Sequence, residues 1–370
     1  MEPDPPQRIT RLTPLADVLA RIDAAVKPVA PSVADPSAAL GGTLAEAVVT
    51  AAPIPAAALA LRDGWAVASD LTTDAGAYAP AAVPAAVRID VGQPLPPGAD
   101  AVAPFDAMTL RNGVVQAISP VVTGEGVLPA GADIAAGAVL LAAGTRLNRL
   151  HISLLAAAGI ARVQICAPRV ALLRANLGSD AVIDAALNFV AGDIGTAGAI
   201  AIVRGAALAD AMQDQEVDAV VAVGGTGSGR NDTSVTTLAR LGRVEVHGIA
   251  LAPGETAALG FVGPRPVLLL PGRFDAAAAV WLIVGRHLLA RLSGGNEQVS
   301  ATKAKLGRKV ASALGLAELV PVRLRDGAAE PIASGYVSFS ALAQAHGFIL
   351  VPAESEGYPP GVEVMVRPWP

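Results

Sequence analysis

The sequence predicts a multidomain protein of mixed α/β and β parts, organised around one parallel α/β sheet. Two observations carry this. Between about 163 and 295, short β-branched runs alternate with helical periodicity, the pattern of strands joined by crossover helices. Outside that region, at 44–122 and from 296 onward, short strands are divided by turn residues, among them Asn112-Gly113 and Asp326-Gly327.

Composition bounds the function. A chain of 370 residues allows two to three domains. It is 53% hydrophobic, rich in Ala, Gly and Pro, and poor in aromatics. Its apolar runs fall short of the roughly twenty residues of a spanning helix, and the longest contain prolines, which predicts a soluble protein without membrane partners. Residues 1–6 have neither a basic nor an apolar region of a secretory signal, so the expected location is cytoplasmic. The single cysteine, Cys166, excludes a disulfide framework and reads as a buried, inert thiol at a strand end. A net charge of −5 without basic clusters argues against nucleic acid. The four histidines are scattered, so no His/Cys zinc site is visible.

The elements follow in order. Residues 1–12 read as a loose arm. Thr13-Pro14 starts a helix, with Thr as N-cap and Pro first inside, and Leu15, Val18, Leu19, Ile22 and Val26 form its stripe. The β lobe at 44–122 contains Arg62-Asp63-Gly64 in an apolar context, where Asp63 by itself reads as a turn residue. A helix capped by Asn148 closes at Gly159. In the α/β region the strands are 169–173, 199–203, 218–223 and 267–270, with helices at 181–190, 206–212 and 276–292. The β-rich tail holds strands at 322–325, 348–351 and 362–366 and a short helix at 340–345, with Ser334-Gly335 and 354–357 as solvated turns.

The stretch 218–241 carries the chemistry. The strand ends in Gly224-Gly225-Thr226-Gly227-Ser228-Gly229-Arg230-Asn231-Asp232, and a helix with Val235, Leu238 and Leu241 on one face runs to Gly242. Glycines accept positive φ and let backbone N–H groups approach a ligand, and a helix N-terminus adds donors and partial positive charge, so the loop suits a phosphate. The bland alternative is a tight strand-to-helix turn capped by Asp232. No Gly-Lys-Ser/Thr follows, and the spacing is not that of a dinucleotide fingerprint. The strand at 267–270 ends in Pro271-Gly272-Arg273-Phe274-Asp275; ligands bind beyond the carboxyl ends of such strands, so the two loops are expected to share one crevice.

Five motifs in this order resemble the molybdopterin molybdenumtransferases, the MoeA and gephyrin E-domain family. Ala60-Leu61-Arg62-Asp63-Gly64-Trp65-Ala66 is similar to Ala-Met-Asp-Gly-Tyr-Ala, and Leu95-Pro96-Pro97-Gly98-Ala99-Asp100-Ala101-Val102 to Leu-Pro-x-Gly-Ala-Asp-Ala-Val. Gly131-Ala132-Asp133-Ile134 with Ala143-Gly144-Thr145 follows Gly-Glu-Asp-Ile and Ala-Gly-Thr. Gly224 to Asp232 resembles Gly-Gly-Val-Ser-Val-Gly-x-x-Asp, and Leu270-Pro271-Gly272 resembles Leu-Pro-Gly-Asn-Pro.

The resemblance implies a four-part homodimer. Its parts are an N-terminal helical and linker domain (8–43 and 123–162), an inserted β lobe (44–122), a MogA-like, three-layer molybdopterin-binding α/β domain (163–295) and a C-terminal β-barrel-like domain (296–370). It implies insertion of molybdate into adenylylated molybdopterin, assisted by Mg²⁺. The important acidic residues of the family fall on Asp63, Asp133 and Asp232, with Asp63 and Asp232 as metal carboxylates. Gly224, Gly225, Thr226, Gly227, Ser228, Gly229, Arg230, Pro271, Gly272 and Arg273 would line the pterin-phosphate site. The chain also departs from the pattern. Arg174-Ala175-Asn176-Leu177 stands for Ser/Thr-Gly-Asp-Glu, Gly178-Ser179-Asp180 for Asp-Ser-Asn, Ala252-Pro253-Gly254-Glu255-Thr256 for Lys-Pro-Gly-Lys-Pro, and Arg273-Phe274 for Asn-Pro. Arg230 and Arg273 are positioned to restore positive charge. Three readings follow: a transferase with a remodelled pocket, a catalytically impaired paralogue that carries molybdopterin or the finished cofactor to a molybdoenzyme or biosynthetic partner, and a dimeric scaffold.

Overall fold

The computed structural model describes residues 7–176, 178, 180–295 and 300–370. The expectations for 1–6, Leu177, Ser179 and the boundary at 296 lie outside the described residues. The chain divides into two compact units, one of residues 7–46, 143–153 and 160–370, the other of 47–142 and 154–159.

In the first unit, the strands Ile200–Val203, Arg169–Arg174, Ala219–Val223 and Arg265–Leu270 lie side by side in parallel, in that order. Two antiparallel strands, Ala258–Val262 and Arg243–His247, extend the sheet beyond Arg265–Leu270, and the sequence pattern does not announce them. Alternation sorts the apolar side chains onto two faces. Val170, Leu172, Val221, Val223, Leu268 and Leu270 pack with the helices Leu15–Ala25 and Ala181–Thr196. Ala171, Leu173, Val220, Ala222, Val267 and Leu269 pack with Leu208–Gln213 and Ser234–Leu241. Burial on both faces explains the near-continuous apolar runs of these strands and gives the expected three layers.

Several boundaries differ from the sequence reading. Thr13–Pro14 is a short strand parallel to Ile249–Ala250, Pro14 itself takes the N-cap position, and the helix begins at Leu15. Pairing governs here, because the Thr13 N–H is held by the Gly248 carbonyl at 2.9 Å. The second helix runs on to Thr196 despite Gly192 and Gly195, because buried Asp193 accepts from Trp281 Nε1 at 2.7 Å and from Arg286 Nη2 at 2.6 Å. The last helix of the α/β region is interrupted by a π turn, Trp281–Gly285. A β-carbon at Gly285 would fall 2.2 Å from the Trp281 ring, so glycine lets the indole lie against the backbone.

The same unit contains a closed five-strand barrel. Ala317–Arg325 pairs with Ala328–Pro331 on one side and Gly347–Val351 on the other, and Thr302–Leu306 and Glu363–Pro368 complete the ring. Its filling includes Leu306, Val320, Val322, Ile349, Val351 and Val364. Asp326 and Gly327 sit at φ 50° and 77°, the left-handed pair that a two-residue hairpin requires. The segment Ile249–Ala252 continues from the α/β domain to pair with Ala317–Glu318 of the barrel.

The second unit is β-rich. Its central sheet orders Val87–Ile89, Gly64–Val67 and Ala101–Ala103, all antiparallel. Ala66 and Val102 face one small core and Val67, Ala101 and Ala103 another, so both faces are covered. The hairpin at Asn112-Gly113 forms as expected.

Candidate functional site

Strand Ala219–Val223 lies between Arg169–Arg174 and Arg265–Leu270, so the loops after all three emerge at one edge of the sheet. Gly224 and Gly225 have φ of 99° and 68°, a region that favours glycine. The Gly224 N–H donates to Leu270 O at 2.9 Å, and a β-carbon on Gly272 would lie 3.6 Å from Gly224 Cα. The glycine loop and the Pro271-Gly272-Arg273 loop therefore lie against each other at this edge of the sheet.

The helix N-terminus contributes less than the sequence suggests. The Ser234 N–H and hydroxyl both donate to Gly225 O, at 3.2 and 2.6 Å. The Val235 N–H donates at 3.1 Å to the side chain of Gln7, from the arm read as loose. Two of the first helical donors are thus engaged within the protein. Donors remain in the loop itself: among the described residues, the N–H groups of Gly225, Thr226, Gly227, Ser228, Arg230 and Asn231 have no hydrogen-bond partner.

Asp232 is not the N-cap. That position is Thr233, which makes no side-chain cap bond, while Asp232 Oδ2 accepts from the Gly229 N–H at 2.8 Å. The carboxylate is folded over the glycine loop, and its second oxygen has no partner among the described residues. Side-chain contacts brace the loop elsewhere. The Thr226 hydroxyl is 3.0 Å from that of Thr256, and His247 Nε2 lies 3.0 Å from Thr226 O, which fixes it as the protonated nitrogen of that contact. Thr256 belongs to the segment standing in for the family's lysine-containing stretch. That segment therefore still reaches the loop, without its cations.

Arg273 is half-exposed but not a free cation. Its guanidinium binds both oxygens of buried Asp275, whose Oδ2 also accepts from the Val337 N–H at 3.1 Å, and Tyr336 stacks 4.5 Å from its charge. The bonds to Asp275, with further attraction from Asp275, Tyr336 and Glu255, hold Arg273 above the ordinary arginine range despite partial burial. Phe274 meets Phe339 edge to face at 5.9 Å. The Arg273-Phe274 pair thus anchors the barrel's 336–339 segment. Arg230 is exposed.

Beside the loop, the ends of Arg169–Arg174 and Ile200–Val203 border a cavity of about 390 Å³, lined by Arg174, Asn176, Asp184, Leu187 and Arg204. Both arginines are matched, Arg174 by Asp184 and Arg204 by Asp214. Asn176 Oδ1 would lie 3.2 Å from a β-carbon on Gly225, so this residue joins cavity and glycine loop. Asp180 serves as the N-cap of Ala181–Thr196, accepting from Val182 N at 2.8 Å.

Asp63 and Asp133 belong to the other compact unit, and both are exposed. Asp63 Oδ1 accepts from the Val91 N–H at 2.8 Å. Gly64 beside it is required, since a β-carbon there would meet Ala103 O at 2.1 Å. Arg62 donates to Val102 O and to Glu125. No group of three or more His, Cys, Asp or Glu is gathered into a metal cage among the described residues.

Sequence reasoning missed Gln7, Ser234, His247, Asn176 and Asp275 as parts of the crevice. Asn176, Ser234 and Asp275 stand in or beside a quoted motif; Gln7 and His247 arrive by tertiary packing.

The fold defines a multidomain α/β protein with a glycine loop at the carboxyl edge of its parallel strands, joined to a five-strand barrel. Three family models match the chain in order: MoeA N-terminal region (domain I and II) over 13–159, "Probable molybdopterin binding domain" over 199–291, and MoeA C-terminal region (domain IV) over 303–369. A protein of Methanocaldococcus jannaschii assigned to molybdopterin biosynthesis is 27% identical over 304 residues, covering 75% of this chain and 74% of its own. Molybdopterin molybdenumtransferase 1 of Mycobacterium tuberculosis is 28% identical over 270 residues; these are 65% of this chain and 60% of that protein. The solved MoeA protein of Pyrococcus horikoshii superposes with a TM-score of 0.80 at 26% identity, over 97% of this chain and all of that one. A molybdenum cofactor biosynthesis protein of Pyrococcus furiosus shares the fold at a TM-score of 0.62 and 21% identity, over 97% of this chain and 100% of its own. The chain belongs to the MoeA family.

Proposed function

We propose that this protein acts in molybdenum cofactor biosynthesis, inserting molybdate into adenylylated molybdopterin at the glycine crevice. The observation that carries this reading is the loop itself: its Thr226 and Ser228 N–H groups have no partner among the described residues, and the Asp232 carboxylate folds onto the neighbouring Gly229 N–H. Backbone donors of this kind bind phosphate oxygens without needing a cationic side chain. The adjoining cavity of about 390 Å³ falls within the range of small-molecule pockets.

Asp232 fits a Mg²⁺ site of the sort that uses one carboxylate and completes its shell with ligand phosphate and water, because one of its oxygens is uncommitted. Bound there, the ion would neutralise phosphate and molybdate oxygens. The protein's own part is to hold the phosphate against Thr226 and Ser228 and to keep the Asp232 charge in place through Gly229. Asp63 and Asp133 enter as further catalytic carboxylates, and the working form is a cytoplasmic homodimer. The test is molybdate-dependent release of AMP from adenylylated molybdopterin, with and without Mg²⁺.

One observation favours a second reading, a paralogue that carries molybdopterin or the finished cofactor to a partner. The segment 252–256, which stands where the resemblance implies lysines, carries only Glu255, and the neighbouring loops set Arg230 and Arg273 against Asp232 and Asp275. Tight pterin binding without molybdate-dependent AMP release supports the carrier.

A further inference from the structure

We propose that Gln7 is a positioning residue that aims the anion-binding N–H groups of the glycine loop, an inference that rests on the anion-site reading above. Gln7 is 7% exposed. Its Nε2 donates to Gly225 O at 2.6 Å and to Gly227 O at 2.7 Å, and its Oε1 accepts from the Val235 N–H at 3.1 Å. Both amide hydrogens and the amide oxygen are therefore engaged. The reverse orientation would set an oxygen against two carbonyls, so the neighbours fix the side chain as stated.

The consequence follows from peptide geometry. In a trans peptide the C=O of one residue and the N–H of the next point in opposite directions. Drawing the Gly225 and Gly227 carbonyls onto Gln7 turns the Thr226 and Ser228 N–H groups away from it. Both are among the loop donors without a partner among the described residues, and they are the two whose preceding carbonyls Gln7 holds. Gln7 thereby sets the direction of the Ser228 donor, shares with Ser234 the setting of the Thr226 donor, and ties both to the first turn of helix Ser234–Leu241.

A glycine-rich loop needs such a device. With four glycines between 224 and 229, it has few side chains of its own to restrict its backbone. The arm that delivers Gln7 is itself held: Ile9 Cγ2 lies where a β-carbon on Gly248 would come within 2.5 Å, and Thr13 enters the sheet beside Ile249. Gln7 thus couples the start of the chain to a loop more than two hundred residues away.

The experiment compares wild type with Gln7→Met, which keeps length without the amide, and Gln7→Glu, which removes both donors. Hydrogen exchange at Val235 reads the clamp, and calorimetric titration with molybdopterin and with inorganic pyrophosphate reads the site. The expected result is loss of Val235 protection with Leu238 protection retained, and an affinity for both probes at least tenfold weaker, with Glu the more damaging. Unchanged Val235 exchange overturns the clamp. Lost protection with unchanged affinity overturns the positioning role and leaves a structural one. If wild type binds neither probe, the anion-site reading fails, while the exchange measurement still decides the clamp. Should Gln7→Glu fail to fold, Gln7→Met carries both readouts.

Discussion

A β-carbon added to Gly227 would lie 2.8 Å from Asp232 Oδ2, and one added to Gly229 would lie 2.9 Å from the same oxygen. The outer glycines of the loop are therefore the space into which the carboxylate folds. Gly227→Ala should push Asp232 outward and break its bond to the Gly229 N–H, a charge-assisted contact of about 1.5–3 kcal/mol when sheltered and less at this exposed position. Calorimetry should find molybdopterin affinity reduced about tenfold, with the melting temperature nearly unchanged. Retained affinity would remove the loop from the site.

Asp232→Asn separates charge from shape. Thr233 holds the N-cap position, and an Asn oxygen can still accept from Gly229, so stability in urea should shift by less than about 0.5 kcal/mol. Mg²⁺-dependent AMP release should be lost. Asp63→Asn gives the parallel comparison, because its contact to the Val91 N–H also survives the change. Full turnover in both variants would leave these residues as loop braces only.

Asp193→Ala should be among the most damaging single changes in the α/β domain. The buried carboxylate receives Trp281 Nε1 and two Arg286 donors, and removing one member of a buried charge pair costs about 3–5 kcal/mol. Urea unfolding followed by tryptophan fluorescence measures this directly. A loss below about 1 kcal/mol would mean the network repacks around water.

Arg62 and Glu125 give the second unit a pH dependence. The hydrogen bond from Arg62, helped by the Val122 N–H, holds the Glu125 carboxyl below the usual glutamate range. A lowered folded value stabilises the protein at pH above the unfolded value and is lost as pH falls through the folded one. Both side chains are over a third exposed, so screening limits the effect to under about 1 kcal/mol. Arg62→Met should flatten the acid limb of the stability curve, read by circular dichroism below the glutamate range.

A two-fold homodimer is the expected assembly, closed symmetry being the common solution for such chains. Light scattering across a dilution series should give twice the chain mass of 36.9 kDa. A monomer at micromolar concentration would overturn the dimer.

What the sequence determined by itself was whatever depends on local pattern. Strands buried on both faces announce themselves as continuous apolar runs, so the parallel sheet was legible at 169–173, 218–223 and 267–270. Turns that need left-handed backbone announce themselves as glycine pairs, so the hairpins at Asn112-Gly113 and Asp326-Gly327 and the loop at Gly224-Gly225 were legible too. Tertiary structure alone decided who holds the loop and where its charges go. Asp232 before a helix reads as a cap, yet its carboxylate turns back onto Gly229. Arg273 reads as a crevice cation, yet Asp275 and Tyr336 bind it. Gln7 reads as part of a loose arm, because nothing near it in the chain foretells the Gly225 and Gly227 carbonyls it meets. Local preference is written in neighbouring residues; a hydrogen-bonding partner two hundred positions away is chosen only when packing brings the two together.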